Sequence, residues 1–305
     1  MNLNDFRYLV ALNQTKHFGR AAERCFVSQP TLSGQLVKLE QELGVTLVER
    51  TRRSVMFTPA GEAIVTRAQK VLLSVDEVKQ EAQRWRDPMA TTLRLGLIPT
   101  VAPYLLPHLL PAVQEKYPDL NLELHELQTE VLLKQLQQGS LDALILAMLP
   151  GMGKFESRML YQEPMVFAAS KQHEFAEKEE VSFSDLQGQQ VLMLEDGHCL
   201  RDQALGVCFS AGANEDPSFR ATSLETLRHM VALGRGVTLL PLLACSQRDK
   251  FQGLCYAKFC APEPTRDIVM LWRSGSGIER TCTPLSELCS EVVKEVMHSY
   301  IQNAG

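Results

Sequence analysis

The chain has 305 residues, 45% of them hydrophobic, and a formal net charge of -5. That is enough for two or three domains around sizeable cores, which excludes a disordered polyelectrolyte. No run approaches the roughly 18 to 20 apolar residues of a membrane span. The opening MNLNDFRYLV lacks a basic stretch followed by an apolar one, so no export signal and a cytoplasmic location are expected.

The charge is unevenly divided. Residues 1–87 carry 13 Lys/Arg against 10 Asp/Glu, and the remainder carries 18 against 26. A basic head on an acidic body suits a DNA-binding segment joined to a sensing one.

Helical periodicity begins at once, with Phe6, Leu9, Val10 and Leu12 on one face. A second short stretch turns Phe18, Ala21, Ala22 and Cys25 inward. VSQP then interrupts the pattern. Ser28 is a favoured N-cap and Pro30 suits a first helical turn. Leu32, Leu36, Leu39 and Leu43 repeat along the next helix until Gly44 stops it. Two helices joined by a tight turn, the second polar on its outer face, predict a helix-turn-helix. With Pro30 at its entry, that face carries Ser28, Gln29, Thr31, Ser33, Gln35 and Lys38. Gln, Ser and Thr at the start of such a helix bond base edges in the major groove. Arg50, Arg52 and Arg53 fall in an expected two-stranded wing, where they would grip phosphates or the minor groove of double-stranded promoter DNA.

A long helix is expected from about Pro59. Along it Ile64, Ala68, Val71, Val75, Val78, Ala82 and Trp85 alternate spacings of 4 and 3, a heptad seam that predicts dimerisation. RDPM marks a hinge at Asp87–Pro88. The stretch HFGRAAERCFVSQPTLSGQLVKLEQELGVTLVERTRRSVMFTPAG resembles the N-terminal signature of LysR-type transcriptional regulators. The AA, SQP, LE, LG, L.ER and T.AG elements stand in order, and Val48 is a conservative departure from the family's common Phe. The resemblance implies a winged helix-turn-helix, a dimer helix and a tetramer built as a dimer of dimers.

Beyond residue 90, apolar runs alternate with helical stretches. The strands expected are Leu93–Ile98, Leu120–Leu127, Ala143–Ala147, Met165–Ala169, Gln190–Leu194, Gly236–Leu240 and Asp267–Trp272, with helices near 103–116, 129–139 and 223–234. This predicts an α/β fold. The resemblance implies a two-lobed, periplasmic-binding-protein-like regulatory domain. The expected division is 1–58 for the winged helix-turn-helix and 59–89 for the dimer helix and hinge. Residues 90–305 form the regulatory domain, with lobes 90–162 plus 268–305 and 163–267. Thr100 and Thr129 follow expected strands and fall where such sheets bind ligands.

In VLMLEDGHCLRDQALGVCFSAGA, an apolar strand ends in Glu195–Asp196–Gly197 and a helix begins near His198 or Cys199. The backbone dipole favours a thiolate at such a position, and an adjacent imidazole and nearby arginine would favour it further. A thiolate attacks peroxide to give sulfenic acid, which a thiol such as Cys208 can condense with. On spacing alone, two inert buried cysteines are the favoured reading. If residues 199–208 are helical, the two Cα atoms lie roughly 13 Å apart, beyond the roughly 7 Å limit of a disulfide. A bond between them would require the helix to unwind. The other cysteines, Cys25, Cys245, Cys255, Cys260, Cys282 and Cys289, show no zinc spacing, so no metal and no cofactor are expected.

GHCLRDQALGVCF, with ATSLETLRHMV, GVTLLP and LGLIPT, resembles the peroxide-sensing members of the same family. The resemblance implies a peroxidatic Cys199, a resolving Cys208, and a pocket of His198, Arg266, Thr100 and Thr129, with Asp202 in the same segment. It further implies a non-enzymatic activator of antioxidant genes whose partners are hydrogen peroxide, promoter DNA, RNA polymerase and thiol reductants such as glutaredoxin, with no membrane. Two other readings stand beside it: a regulator answering to a small organic effector, and a thiol peroxidase.

Overall fold

A computed structural model describes residues 1–50, 55–84, 87–245 and 253–302. The chain divides into two compact units, Met1–Ala82 and Gln83–Gly305.

The first unit opens with α1 (Leu3–Thr15), α2 (Phe18–Arg24) and α3 (Gln29–Leu43). Asn2 and Asp5 form a reciprocal capping box at α1. Ser28 caps α3, and Gly44 ends it in the left-handed conformation open to glycine. The leucine seam behaves as its spacing demands: Leu32, Leu36 and Leu39 are buried against Leu9, Leu12, Ala21 and Ala22. Strands β1 (Val48–Arg50) and β2 (Val55–Phe57) pair antiparallel as a wing. Helix α4 (Pro59–Arg84) follows.

The second unit begins with β3 (Thr92–Leu97), α5 (Ala102–Lys116), β4 (Asn121–Glu126), α6 (Thr129–Gln138) and β5 (Ala143–Ala147). Next come β6 (Glu156–Ser170), β7 (Glu180–Val181), β8 (Gln190–Leu194), α7 (Cys199–Ser210) and β9 (Asn214–Ala221). The chain continues through α8 (Leu224–Ala232), β10 (Thr238–Pro241), β11 (Leu254–Phe259), β12 (Thr265–Trp272) and α9 (Glu279–Gln302).

Two hydrophobic cores make two lobes. The first gathers β3, β5, β12 and the inward faces of α5, α6 and α9. The second gathers Phe167, Leu192, Leu194, Leu227, Leu239 and their neighbours. Strand β3 runs parallel to β4 and β5, and β12 runs antiparallel to β5 and β6. Strand β6 belongs to both lobes: Glu156–Pro164 pairs with β12, and Met165–Ser170 pairs with β10 and β11. Its first half, β9, β11 and α9 were not expected from the sequence. Among the described residues no helix is long and apolar enough to cross a membrane.

Candidate functional site

The residues expected to face DNA lie along α3 and at the end of β1. The Ser28 hydroxyl accepts the Thr31 N–H at 3.3 Å and lies 2.7 Å from the Thr31 hydroxyl. Ser28, Gln29, Pro30, Thr31 and Lys38 are exposed, and Ser33 and Gln35 are half-buried. One carboxylate oxygen of Glu40 accepts the N–H groups of Leu47 and Val48 at 2.8 and 3.0 Å, tying the wing to α3. Glu40 was not singled out in the sequence. Arg50 ends β1, while Arg52 and Arg53 lie outside the described residues.

The seam of α4 needs correction. Ala68 is 1% exposed and packs, with Ile64 and Val65, on the first unit's own core. Its first turns therefore serve intrachain packing, since a buried methyl offers nothing to a partner. Farther along, Val71 and Ala82 are exposed, Val78 is 70% exposed and Val75 is half-buried. Trp85 lies outside the described residues.

In the second unit, Cys199 is the first residue of α7 and Cys208 stands in its last turn. Both are free thiols, 3% and 2% exposed. They belong to different cores: Cys199 packs with the first lobe and Cys208 with the second. Burial pushes the Cys208 thiol up to about 12, so it stays protonated near neutrality. Desolvation holds buried His198 below the usual imidazole range, although the Glu195 charge and a hydrogen bond with the Thr222 backbone pull the other way. The ring is therefore neutral.

Cys199, Thr129 and Asp202 line one cleft of 290 Å³, together with Met152, Lys154 and Phe155. The Thr129 hydroxyl oxygen is buried and has no hydrogen-bond partner among the described residues. It is free to donate to and accept from a small polar molecule next to the thiol. Arg266 and Thr100 form a second cluster. The Arg266 guanidinium donates from Nη1 to Thr100 Oγ1 and from Nη2 to the Thr100 carbonyl, each at 2.9 Å. Its Nε and Nη2 lie 2.9 and 2.8 Å from one oxygen of Glu163. The other Glu163 oxygen accepts the Leu243 N–H at 3.0 Å. This pair is buried and neutralised internally. Arg266 thus orients Thr100, whose hydroxyl proton is left to donate elsewhere.

Arg201 anchors the first turn of α7. It contacts Asp196 at 2.9 Å and Glu215 at 2.7 Å, and donates to the Leu194 carbonyl. Glu163 and Glu215 escaped sequence reasoning. Glu163 lies 103 residues from Arg266, and its neighbours Gln162 and Pro164 give no local sign of a buried charge.

Comparison with known proteins agrees with this architecture. Residues 3–62 match the bacterial regulatory helix-turn-helix protein family, lysR type, and residues 86–294 match the LysR substrate binding domain. The chain is 51% identical over 287 residues to the DNA-binding transcriptional dual regulator OxyR of Escherichia coli K12, covering 94% of each. It is 49% identical over 302 residues to the hydrogen peroxide-inducible genes activator of Pectobacterium carotovorum, covering 99% of each. Among solved structures, full-length OxyR C199D from Pseudomonas aeruginosa superposes with a TM-score of 0.76 at 37% identity, covering 95% of this chain and 94% of that one. The oxidized form of OxyR matches 68% of this chain and 98% of its own, with a TM-score of 0.63 at 48% identity. The helix-turn-helix, the two-lobed α/β unit and these likenesses together make the chain a member of the LysR family, in its OxyR branch.

Proposed function

We propose that this chain is a peroxide-sensing transcription activator, acting in the cytoplasm and binding promoter DNA through α3 and its wing. The observation that carries the sensing step is that two free thiols sit on one helix while packing into different cores. In the proposed reaction the Cys199 thiolate attacks one peroxide oxygen. The O–O bond breaks, sulfenic acid forms, and the departing hydroxide takes a proton to leave as water. Thr129 and the Thr100 hydroxyl held by Arg266 are the groups proposed to hold the peroxide, with His198 as a neutral neighbour and Asp202 at the cleft wall.

Cys208 then gives up its proton and attacks the sulfenic sulfur, releasing a second water and closing the disulfide. Nine helical steps separate the two Cα atoms by roughly 13 Å, against the roughly 7 Å that a disulfide allows, so α7 must unwind. Closing a loop of about ten residues constrains the chain by roughly 2–3 kcal/mol. The two thiols are consumed once per signal, so a thiol reductant such as glutaredoxin must reduce the disulfide to reset them. Val71, Val75, Val78 and Ala82 are proposed to join two chains, and two dimers to form the tetramer that meets RNA polymerase.

The test is peptide mapping after micromolar hydrogen peroxide, combined with a promoter footprint. A Cys199–Cys208 bond with a changed footprint is expected, and two free thiols would overturn the sensor. The apolar wall of Phe155 and Met152 also suits a small organic effector. A footprint that changes with such a compound, but not with peroxide, would favour that second reading.

A further inference from the structure

Phe26 stands apart from the other described hydrophobic side chains of the first unit. It is 96% exposed, while the next most exposed large hydrophobic residues among the described ones, Leu233 and Val78, reach 76% and 70%. Its backbone sits at φ 55°, a left-handed conformation that side chains rarely adopt. The turn is nonetheless well fixed. The Phe26 N–H donates to the Glu23 carbonyl at 3.1 Å, and the Val27 N–H to the Ala22 carbonyl at 3.0 Å. A fixed turn therefore presents an aromatic ring to solvent at an unfavourable backbone position, where a polar residue would be cheaper.

The location of that turn indicates what covers the ring. Phe26 lies two residues before Ser28, the N-cap of α3. The N-terminal end of a recognition helix is the end that enters the major groove. Around it the exposed residues Ser28, Gln29 and Thr31 are hydrogen-bonding types, and Arg20 and Arg24 of α2 are exposed as well. In the major groove the one apolar feature of the base edges is the thymine C5-methyl group, and Phe is among the side chains that contact it.

We propose that Phe26 is a specificity-determining residue that packs on a thymine methyl group at the edge of the half-site read by α3. The inference rests on the DNA-binding reading and adds to it an apolar contact outside the polar face of the helix. A duplex would be selected by the full-length protein from a randomised pool. Each thymine in its footprint would then be replaced singly by deoxyuridine, which lacks only the methyl. Wild-type protein should lose about four- to tenfold in affinity at one such position per half-site. Phe26→Ala should lose the same factor on the thymine duplex and become indifferent to the replacement. Phe26→Leu should recover part of both. The Ala variant keeps a side chain at the same φ, and its melting temperature and peroxide-driven Cys199–Cys208 bond report whether the fold is intact. Equal weakening of Phe26→Ala on thymine and uracil duplexes would overturn the methyl contact. Wild-type affinity in Phe26→Ala would overturn any role in DNA binding. Failure of the wild-type chain to select any duplex would instead overturn the DNA-binding reading, and this inference with it.

Discussion

Helices α3 and α7 are of similar length, 15 and 12 residues, and each carries one glycine with open space where a Cβ would stand, Gly34 and Gly206. They are supported very differently. Helix α3 has a serine cap, a proline in its first turn, a left-handed glycine at its end and a leucine seam buried in a single core. Helix α7 is divided between two cores. Leu200, Ala204 and Cys208 hold it to one lobe and Cys199 to the other. The proposed function asks the first helix to keep its shape on DNA and the second to unwind when Cys199 is oxidised.

Four experiments test that contrast. The largest effect is expected from Cys199→Ser, which should keep DNA binding and abolish the peroxide response of a reporter. A normal response would place the trigger elsewhere. Next, Glu163→Ala leaves the Arg266 guanidinium buried and unpaired, and should lower stability by about 3–5 kcal/mol in urea unfolding. A loss under 1 kcal/mol would mean that the pair is not desolvated in solution.

Making the same change in both helices sharpens the comparison. Gly34→Ala and Gly206→Ala should each favour helix by about 1 kcal/mol. Only Gly206→Ala should slow Cys199–Cys208 bond formation, by about fivefold, measured by timed alkylation. Equal rates would show that α7 does not unwind before the bond closes.

The smallest effects are those of pH. The folded His198 ring titrates below its unfolded value. Its contribution to stability is complete above about pH 6.5 and is lost as pH falls, because the unfolded chain then takes up a proton that the buried ring refuses. His198→Asn should flatten that acid slope. Cys208 acts at the other end. Its unfolded thiol ionises from about pH 8.5, while the buried one holds its proton to about 12, so stability falls through that window. Cys208→Ser should remove its share of the decline and leave that of Cys289, whose buried thiol is also held up to about 12.

Much of the fold was legible because it is written in local periodicity. The α3 leucines, the Ser28 cap and the Gly44 stop are all short-range signals, and β3, β5 and β8 are apolar runs of strand length. What stayed hidden is non-local. The first half of β6 opens with Glu156, Ser157 and Arg158 and contains Pro164, and β9 reads NEDPSFRA; both are polar enough to pass for loops. Ala68 shows the converse, since a 4-and-3 spacing fits a chain's own core as well as a partner helix. At the site, Cys199, Cys208 and Thr129 could be found one residue at a time. The role of Glu163 depends on Arg266 and Leu243, which reach it only through the tertiary fold.

The unbroken course of β6 has a mechanical consequence. Sensors that close like a jaw need a pivot between their halves, usually a few residues able to absorb a large change in φ and ψ. Here a single pleated strand of 15 residues is hydrogen-bonded into both halves and works as a girder. Wide opening and shutting would tear ladder bonds on either side of Pro164. On the proposed mechanism, oxidation is then relayed as a change of surface relief around α7, read by whatever lies against that surface.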